Sequence, residues 1–193
     1  MKTVWYILLV LAASIVGCKE EVKDVASEDK TSFTFGIIAK SNDNPVFQVA
    51  RKGAEDAAKE LGEKHGFDIA IEWQTPPQED AQKQATFLAQ LAAAGVDGIG
   101  ISCSDASLVT KAIDDAIDAG IPVMTWDSDA PDSKRFCFHG IDDLECGRSV
   151  MRELVAALNG KGVVAVLTGN QTAPNLQRRV QGTREVANEH PDI

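Results

Sequence analysis

Hydroxyl, amide and charged side chains cluster at four points of this 193-residue sequence, each directly after a short apolar run. Such side chains combine hydrogen-bond donors and acceptors with charge, which suits a ligand that carries many hydroxyl groups. The same residue types also cap helix N-termini, and capping is the alternative at each point. We expect capping at Ser104 or Asp105, whereas binding is at least as well founded for Asp127, which follows a buried run. The clusters are 40–45, 102–105, 127–132 and 168–172, the last continued by 175–182.

Asp127 and Asp129 form a D-x-D pair at a strand end, which is the basis of an alternative chemistry. Carboxylates in this arrangement hold Mg²⁺ or Mn²⁺ in glycosyltransferases and in phosphatases of the haloacid dehalogenase type. In those phosphatases the pair ends the first strand, whereas here it ends the fourth. No G-x-S-x-G nucleophile motif is present, and His65, His139 and His190 lack metal-ligand spacing. We therefore expect no catalytic residue, metal or cofactor, and keep an α/β enzyme that uses this pair as the alternative.

A regular alternation of strands and helices must position these clusters. Runs such as GIGIS and VVAVL are apolar on both faces, which is typical of parallel strands covered by helices on each side. Repeated β–α units predict the α/β class with a doubly wound parallel sheet, in which ligands bind at the carboxyl ends of the strands. The predicted strands are 33–39, 69–73, 98–102, 122–126, 136–139 and 163–167.

Four amphipathic stretches between the strands predict helices. Their apolar residues recur at three- and four-residue spacing, so each helix presents one apolar face. We expect these helices to end at Gly62, Gly95, Gly120 and Gly160, because glycine tolerates the positive φ that closes a helix. The four faces are Phe47, Ala50, Ala54, Ala57 and Leu61; Ala81, Ala85, Leu88 and Leu91 or Ala92; Val109, Ala112, Ile113, Ala116 and Ile117; and Cys146, Val150, Met151, Leu154 and Leu158.

The overall charge excludes one class of partner. The formal net charge is −10 and the isoelectric point is about 4.7. This charge argues against nucleic acid as a ligand, because phosphate binding requires a basic face. Hydrophobic residues make up 44% and charged residues 25%, the composition of an ordinary globular domain.

The first eighteen residues are typical of an export signal. One lysine precedes an apolar run at 4–16, which is too short to cross a bilayer but suits a signal peptide. The run ends in Ile15-Val16-Gly17-Cys18, which resembles the bacterial lipobox and implies that Cys18 becomes lipidated. We thus predict a signal peptide and lipobox at 1–18 and a flexible charged tether at 19–32. The choice between the inner and the outer membrane stays open, although Lys19 mildly favours the outer one by resemblance to enteric sorting rules.

Three cysteines remain if Cys18 carries lipid, namely Cys103, Cys137 and Cys146. A disulfide between two of them is possible outside the cytoplasm, but spacing does not decide it. Cys103 and Cys137 fall at apolar strand positions, so we favour free, buried thiols.

From residue 33 onward the chain resembles the periplasmic sugar-binding proteins of ABC importers, the ribose-binding type related to LacI. Four segments carry the resemblance in the order and spacing of that family. They are GIIAKSNDNPVFQVARKGAEDAAKELG, AAAGVDGIGIS, AIDDAIDAGIPVMTWDSDAPDSKRFCFHGIDD and RRVQGT. The resemblance implies a two-lobed periplasmic binding protein of type I that closes around a sugar or related polyol without chemical change.

The resemblance also implies which residues bind the ligand. Lys40 and Asn44 would hydrogen-bond it, Phe47 would stack on the sugar ring, and Asp127 would bind its hydroxyls. The residue after this aspartate is commonly arginine in the family but is Ser128 here, which argues against a pentose like ribose. Ser128 at this position is also expected to bind the ligand. In the second lobe, Asn175 and Arg179 would bind. Trp126 either adds to the aromatic platform or belongs to the core.

The family pattern further implies how the chain is divided and what it serves. We expect an N-terminal lobe at 33–141, a hinge near Ile141 and Asp142, and a partial second lobe at 142–193. Family members are considerably longer, so we expect this sequence to be a fragment or a truncated form. The implied partners are a sugar, an ABC permease and, through the anchor, a membrane, with the protein monomeric on the periplasmic side. A sugar sensor that presents its ligand to a signalling receptor is the alternative.

Overall fold

A single sheet of five parallel strands organises residues 30–193, the part of the chain that the computed structural model describes. The predicted α/β class with a parallel sheet is confirmed. The strands are β1 (Ser32–Ile38), β2 (Asp68–Trp73), β3 (Gly98–Ile101), β4 (Val123–Trp126) and β5 (Cys137–His139). The helices are α1 (Pro45–His65), α2 (Ala81–Ala94), α3 (Ala106–Asp118), α4 (Asp143–Ala157) and α5 (Pro174–Asn188).

The strand order is β2-β1-β3-β4-β5, so the direction in which strands are added reverses at β1. Right-handed crossovers then place α1 on one face of the sheet and α2 and α3 on the other. The alternation of side chains along β1 agrees: Phe35 and Ile37 face the α1 side, whereas Gly36 lies against Leu91 of α2. A crevice at the carboxyl ends of β1 and β3 follows from this reversal.

The main core lies between the sheet and the α2–α3 layer. Its largest side chains are at most 1% exposed. Burial of each such aliphatic side chain contributes roughly 1.5 to 3 kcal/mol, which makes this layer the chief source of stability in the sheet region. These side chains are Ile38, Leu88, Leu91, Ile101 and Ile113.

The face of the sheet towards α1 is less completely filled. An apolar cavity of about 450 Å³ lies there, with Ala54 and Leu61 of α1 on one side and Ile37 and Met124 of the sheet on the other. The apolar face predicted for α1 therefore does point to the sheet, but Leu61 stays 46% exposed.

The end of α1 differs from the prediction. The helix continues through Gly62 and ends at Gly66, whose φ of 73° is left-handed and whose amide donates to the Gly62 carbonyl. Gly62 serves close packing instead, since a Cβ atom there would lie 2.7 Å from the Phe67 carbonyl oxygen. Glycine is thus needed at both positions for different reasons.

The α4–α5 pair follows the sheet along the chain. The buried side chains of α4 are Asp143, Met151 and Val155, with Met151 and Val155 packed near Val186 of α5. Of the apolar face predicted for α4, Met151 is buried, whereas Val150, Leu154 and Leu158 are between 36% and 54% exposed. The predicted apolar face of α4 was therefore partly wrong. Helix α5 packs against a stripe of α4 that is displaced by one residue from the predicted stripe.

The strand predicted at 163–167 is absent from the described chain, where these residues have no regular structure. Val163 is 95% and Leu167 is 99% exposed. Apolar pattern alone does not make a strand, since the backbone must also find a partner strand, and none pairs with these residues within 30–193.

No helix in the described part of the chain is long and apolar enough to span a membrane. Residues 31–193 form one compact unit. The predicted signal peptide, Cys18 and all but the last residues of the predicted tether lie outside the described residues, and Ser32 at the end of that tether already belongs to β1.

Candidate functional site

Three polar side chains meet at the carboxyl ends of β1, β3 and β4. Lys40 follows β1 after one residue, Ser102 follows β3, and Asp127 follows β4 directly. Lys40 Nζ lies 3.5 Å from Asp127 Oδ2, and Ser102 Oγ donates a hydrogen bond of 2.7 Å to the same oxygen. The sheet thus brings residues from three separate loops to the crevice that the strand order creates.

Asn175 in the first turn of α5 completes this cluster. Lys40 Nζ donates to Asn175 Oδ1 at 2.9 Å, and both residues are at most 5% exposed. A buried ammonium is costly unless it is paired, and here a carboxylate and an amide oxygen share that task. The contact also ties the strand region to α5 across 135 residues of sequence.

Asp127 has an unusual backbone. Its φ is 59°, in the left-handed region that aspartate tolerates better than most residues. Its amide donates to the His139 carbonyl at 3.0 Å, which holds the turn between β4 and β5. The Asp127 side chain remains 34% exposed, so its carboxylate is accessible from solvent while Lys40 is not.

An aromatic pair lies beside the polar cluster. The rings of Phe47 and Trp126 are 5.9 Å apart and nearly perpendicular, at 80°. Such edge-to-face pairs are a favoured aromatic geometry. Phe47 is buried, whereas Trp126 is half-buried and directly precedes Asp127.

Asn44 and Ser128 make no hydrogen bond to Lys40, Asp127 or Asn175 within residues 30–193. Asn44 is exposed and caps α1, accepting the Val46 amide at 3.1 Å. Ser128 is wholly buried; its carbonyl accepts from Cys103, and its hydroxyl has no partner within residues 30–193. The expected capping role is confirmed for Asp105, which caps α3.

Arg179 lies one helical turn after Asn175 on α5 and has a different partner. Its Nε atom donates to the buried carboxylate of Asp143 at 2.7 Å, and its side chain lines a cavity of about 310 Å³ with Cys146 and Leu167. Asn175 lines a different cavity of about 310 Å³, shared with Arg178. Arg179 therefore pairs with Asp143, which also lines the cavity of Asn175, and within residues 30–193 no hydrogen bond joins Arg179 to Lys40 or Asp127.

Asp129 is engaged by protein groups. Its carboxylate accepts two hydrogen bonds from Arg135 and one from Thr125. Burial raises the pKa of Asp129, but the bonds from Arg135 and Thr125 and the charge of Arg135 outweigh burial, so its pKa lies below its ordinary value. Asp127 and Asp129 thus have separate partners, and no group of three or more potential metal ligands comes together among residues 30–193.

The three cysteines of the described chain are free thiols. Cys103 is completely buried, and this burial raises the pKa of its thiol to about 12. Cys137 and Cys146 are half-buried.

Ser102 is a member of the cluster that the sequence reasoning did not select. In the sequence it is one polar residue among several after the third strand. Its position directly after a run that is apolar on both faces was the available signal, since such a residue must lie at the carboxyl end of a central strand.

Comparison with known proteins places the chain in a family. The periplasmic binding protein domain matches residues 35–193. The ribose import binding protein RbsB of Bacillus subtilis (strain 168) is 30% identical over 183 residues, which cover 94% of this chain and 57% of the relative. The chain therefore belongs to the periplasmic binding protein family.

Solved structures of similar fold support the same family assignment. An ABC transporter solute-binding protein from Burkholderia graminis C4D1M, in complex with D-arabinose, has a TM-score of 0.78 and 31% identity, over 83% of this chain and 53% of that one. The fructose-binding periplasmic domain of a hybrid two-component system has a TM-score of 0.73 and 28% identity, over 83% and 51%. The chain spans little more than half the length of these proteins.

Proposed function

We propose that this protein binds a sugar or related polyol non-covalently outside the cytoplasm and delivers it to an ABC importer. The observation that carries the proposal is the convergence of Lys40, Asp127 and Asn175 at the reversal point of the sheet. A carboxylate, an ammonium and an amide together accept from and donate to neighbouring hydroxyls, which is the requirement for recognising a polyol.

When the sugar binds, its hydroxyl groups replace part of the contacts that Lys40, Asp127 and Asn175 make with one another. Hydroxyl groups of the ligand bind Asp127, Lys40 and Asn175, while an apolar face of the ring packs on Phe47 and Trp126. We infer that Asn44, in the loop that also carries Lys40, offers its NH₂ group to the ligand while its Oδ1 atom caps α1. Ser128 contributes through the shape of the loop, and Arg179 through Asp143 and the packing of α5.

We propose that residues 33–141 and 142–193 belong to two lobes, with a hinge near Ile141 and Asp142. Closure about the hinge hides the ligand between them. Each Asp127-x-Asp129 carboxylate has its own protein partners, so a binding protein is a better fit than an enzyme.

The importer assignment draws support from a relative whose name describes ribose import, and the Burkholderia graminis structure holds a monosaccharide. A sensor is the second candidate, favoured by the likeness to a periplasmic domain of a two-component system. In either case we propose that a lipid on Cys18 holds a monomer at the periplasmic face of a membrane, where it meets its permease or receptor.

Thermal unfolding with a panel of pentoses, hexoses and inositols tests sugar binding. A sugar present at roughly 100 times its Kd should stabilise the protein by about 2.7 kcal/mol and raise its melting temperature. Asp127→Ala should abolish this rise while the ligand-free protein still unfolds cooperatively. The matched control is Asp132→Ala, an exposed aspartate in the same loop, which should keep the full rise. Equal stabilisation of wild type and Asp127→Ala would remove Asp127 from the site.

A further inference from the structure

Gln84 is a polar residue on the buried face of α2. It is 0% exposed and lies on the same stripe as Ala81, Leu88 and Leu91. An amide in such a position is unfavourable unless its donors and acceptor are all paired.

Each polar group of the Gln84 side chain is paired with the backbone. Its Nε2 atom donates to the carbonyl oxygens of Ala39 at 2.9 Å and Ser102 at 2.8 Å. Its Oε1 atom accepts from the Ser104 amide at 2.9 Å. Both amide hydrogens and the carbonyl oxygen are thereby used.

These three bonds cross the reversal point of the sheet. The last backbone bond between β1 and β3 runs from the Ser102 amide to the Ile38 carbonyl. Beyond this bond no backbone hydrogen bond within residues 30–193 joins the segments that follow β1 and β3, and the Gln84 side chain bridges them instead. Ala39 is also held from the other side, because its amide donates to the buried hydroxyl of Thr75 at 3.0 Å.

We propose that Gln84 is a positioning residue for the ligand site, an inference that rests on the proposed sugar binding. Gln84 fixes the carbonyl of Ala39, the residue before Lys40. It also fixes Ser102, whose hydroxyl holds the Asp127 carboxylate. We call the three bonds of Gln84 the clamp. Because the clamp holds Lys40 and Asp127 in position before the ligand binds, less binding free energy is spent on ordering these side chains.

Gln84→Met tests the clamp, because methionine has similar volume but no amide. The control is Gln90→Met, a change at an exposed glutamine of the same helix. With the sugar that most stabilises the wild type, calorimetry should give a Kd about tenfold weaker or more for Gln84→Met and an unchanged Kd for Gln90→Met. A lower melting temperature with a wild-type Kd would assign Gln84 to stability alone and overturn the proposal.

Gln84→Asn replaces the first variant if Gln84→Met does not fold. Asparagine keeps the amide but is one methylene too short to span the three backbone groups, so the same loss of affinity is expected. A wild-type Kd for a folded Gln84→Asn would likewise contradict the proposal.

Nuclear magnetic resonance of the ligand-free protein separates this inference from the proposed function. If no sugar binds the wild type, the proposed function has failed. The clamp is then tested by comparing the Lys40 ammonium and Asp127 carboxylate signals of the variants with those of the wild type. Both signals should shift in the Gln84 variant and not in Gln90→Met. Unshifted signals would overturn the clamp even where sugar binding holds.

Discussion

Asp129 shows at the residue scale how one carboxylate is withdrawn from ligand chemistry. Its two oxygens bind Arg135 and Thr125, and its side chain is 22% exposed. Asp127, two residues earlier, keeps one oxygen on Ser102 and Lys40 and is more accessible. Two aspartates in one loop therefore differ in partners and in exposure because their neighbours differ.

The Asp129–Arg135 pair predicts an acid-dependent stability. The pKa of Asp129 is lowered in the folded protein from its ordinary value of 3.8, so its contribution is present above that value and is lost as pH falls through the folded pKa. Asp129→Asn should therefore reduce the free energy of unfolding at pH 7 by about 1 to 2 kcal/mol. Urea unfolding from neutral pH downward should show the two proteins converging below about pH 4.

The matched control for this change is Asp132→Asn, at an exposed position of the same loop. It should leave the free energy of unfolding near the wild-type value at each pH. A loss for Asp129→Asn that is the same at neutral and acidic pH would show that the carboxylate charge does not matter.

The α4–α5 pair shows at the element scale why two glycines are required. A Cβ atom on Gly147 would lie 2.0 Å from the Arg179 carbonyl oxygen, and one on Gly182 would lie 2.1 Å from the Leu144 carbonyl oxygen. The two helices thus touch backbone to backbone, which only glycine permits. Gly182, the glycine of the RRVQGT segment, therefore serves the packing of α5 on α4.

Arg179 should matter to the stability of this helix pair. Arg179→Met leaves the Asp143 carboxylate, only 6% exposed, without its cationic partner. We expect a loss of about 2 kcal/mol in the free energy of unfolding, measured in urea, because an unpaired buried charge is destabilising. Arg178→Met is the control: this side chain is 56% exposed and 4.0 Å from Asp142, so less than about 0.5 kcal/mol should be lost. Equal losses in both variants would refute the structural role of Arg179.

Direct hydrogen bonds join the strand region to the segment around α5 at the scale of the whole molecule. Besides the Lys40–Asn175 contact, Asn170 Nδ2 donates to Glu79 Oε2 at 2.8 Å. Thr172 Oγ1 donates to the Ser104 carbonyl at 3.5 Å. Together with the Lys40–Asn175 bond, these contacts connect two parts of the chain that are far apart in sequence.

The proposed anchor is also a property of the whole molecule. Cys18→Ser should move the protein expressed in bacteria from the membrane pellet to the soluble fraction, because the acyl chains that retain it can no longer be attached. Cell fractionation measures the distribution, and mass spectrometry of the N-terminal peptide detects the lipid. The control Cys146→Ser should stay in the pellet, and continued pelleting of Cys18→Ser would contradict the lipobox interpretation.

The sequence predicted most of the fold because local patterns encode burial. Apolar runs and helical spacing located five strands and four helices, most of them to within two residues, and the strand ends then indicated Lys40 and Asp127. The strand expected at 163–167 was wrong for a reason that no local pattern contains, since the backbone hydrogen bonds of a strand depend on a neighbour elsewhere in the chain.

The sequence by itself thus determined the fold class and the loops in which the candidate site lies. Only the tertiary structure decided which side chains meet. It paired Lys40 with Asn175, assigned Arg179 to Asp143, and placed Gln84 where three backbone groups need an amide. Residue type and spacing specify what a side chain can bond, but its actual partner depends on the packing of elements far apart in the chain. For that reason the helical pattern of α2 does not by itself single out Gln84, a polar residue on an otherwise apolar face.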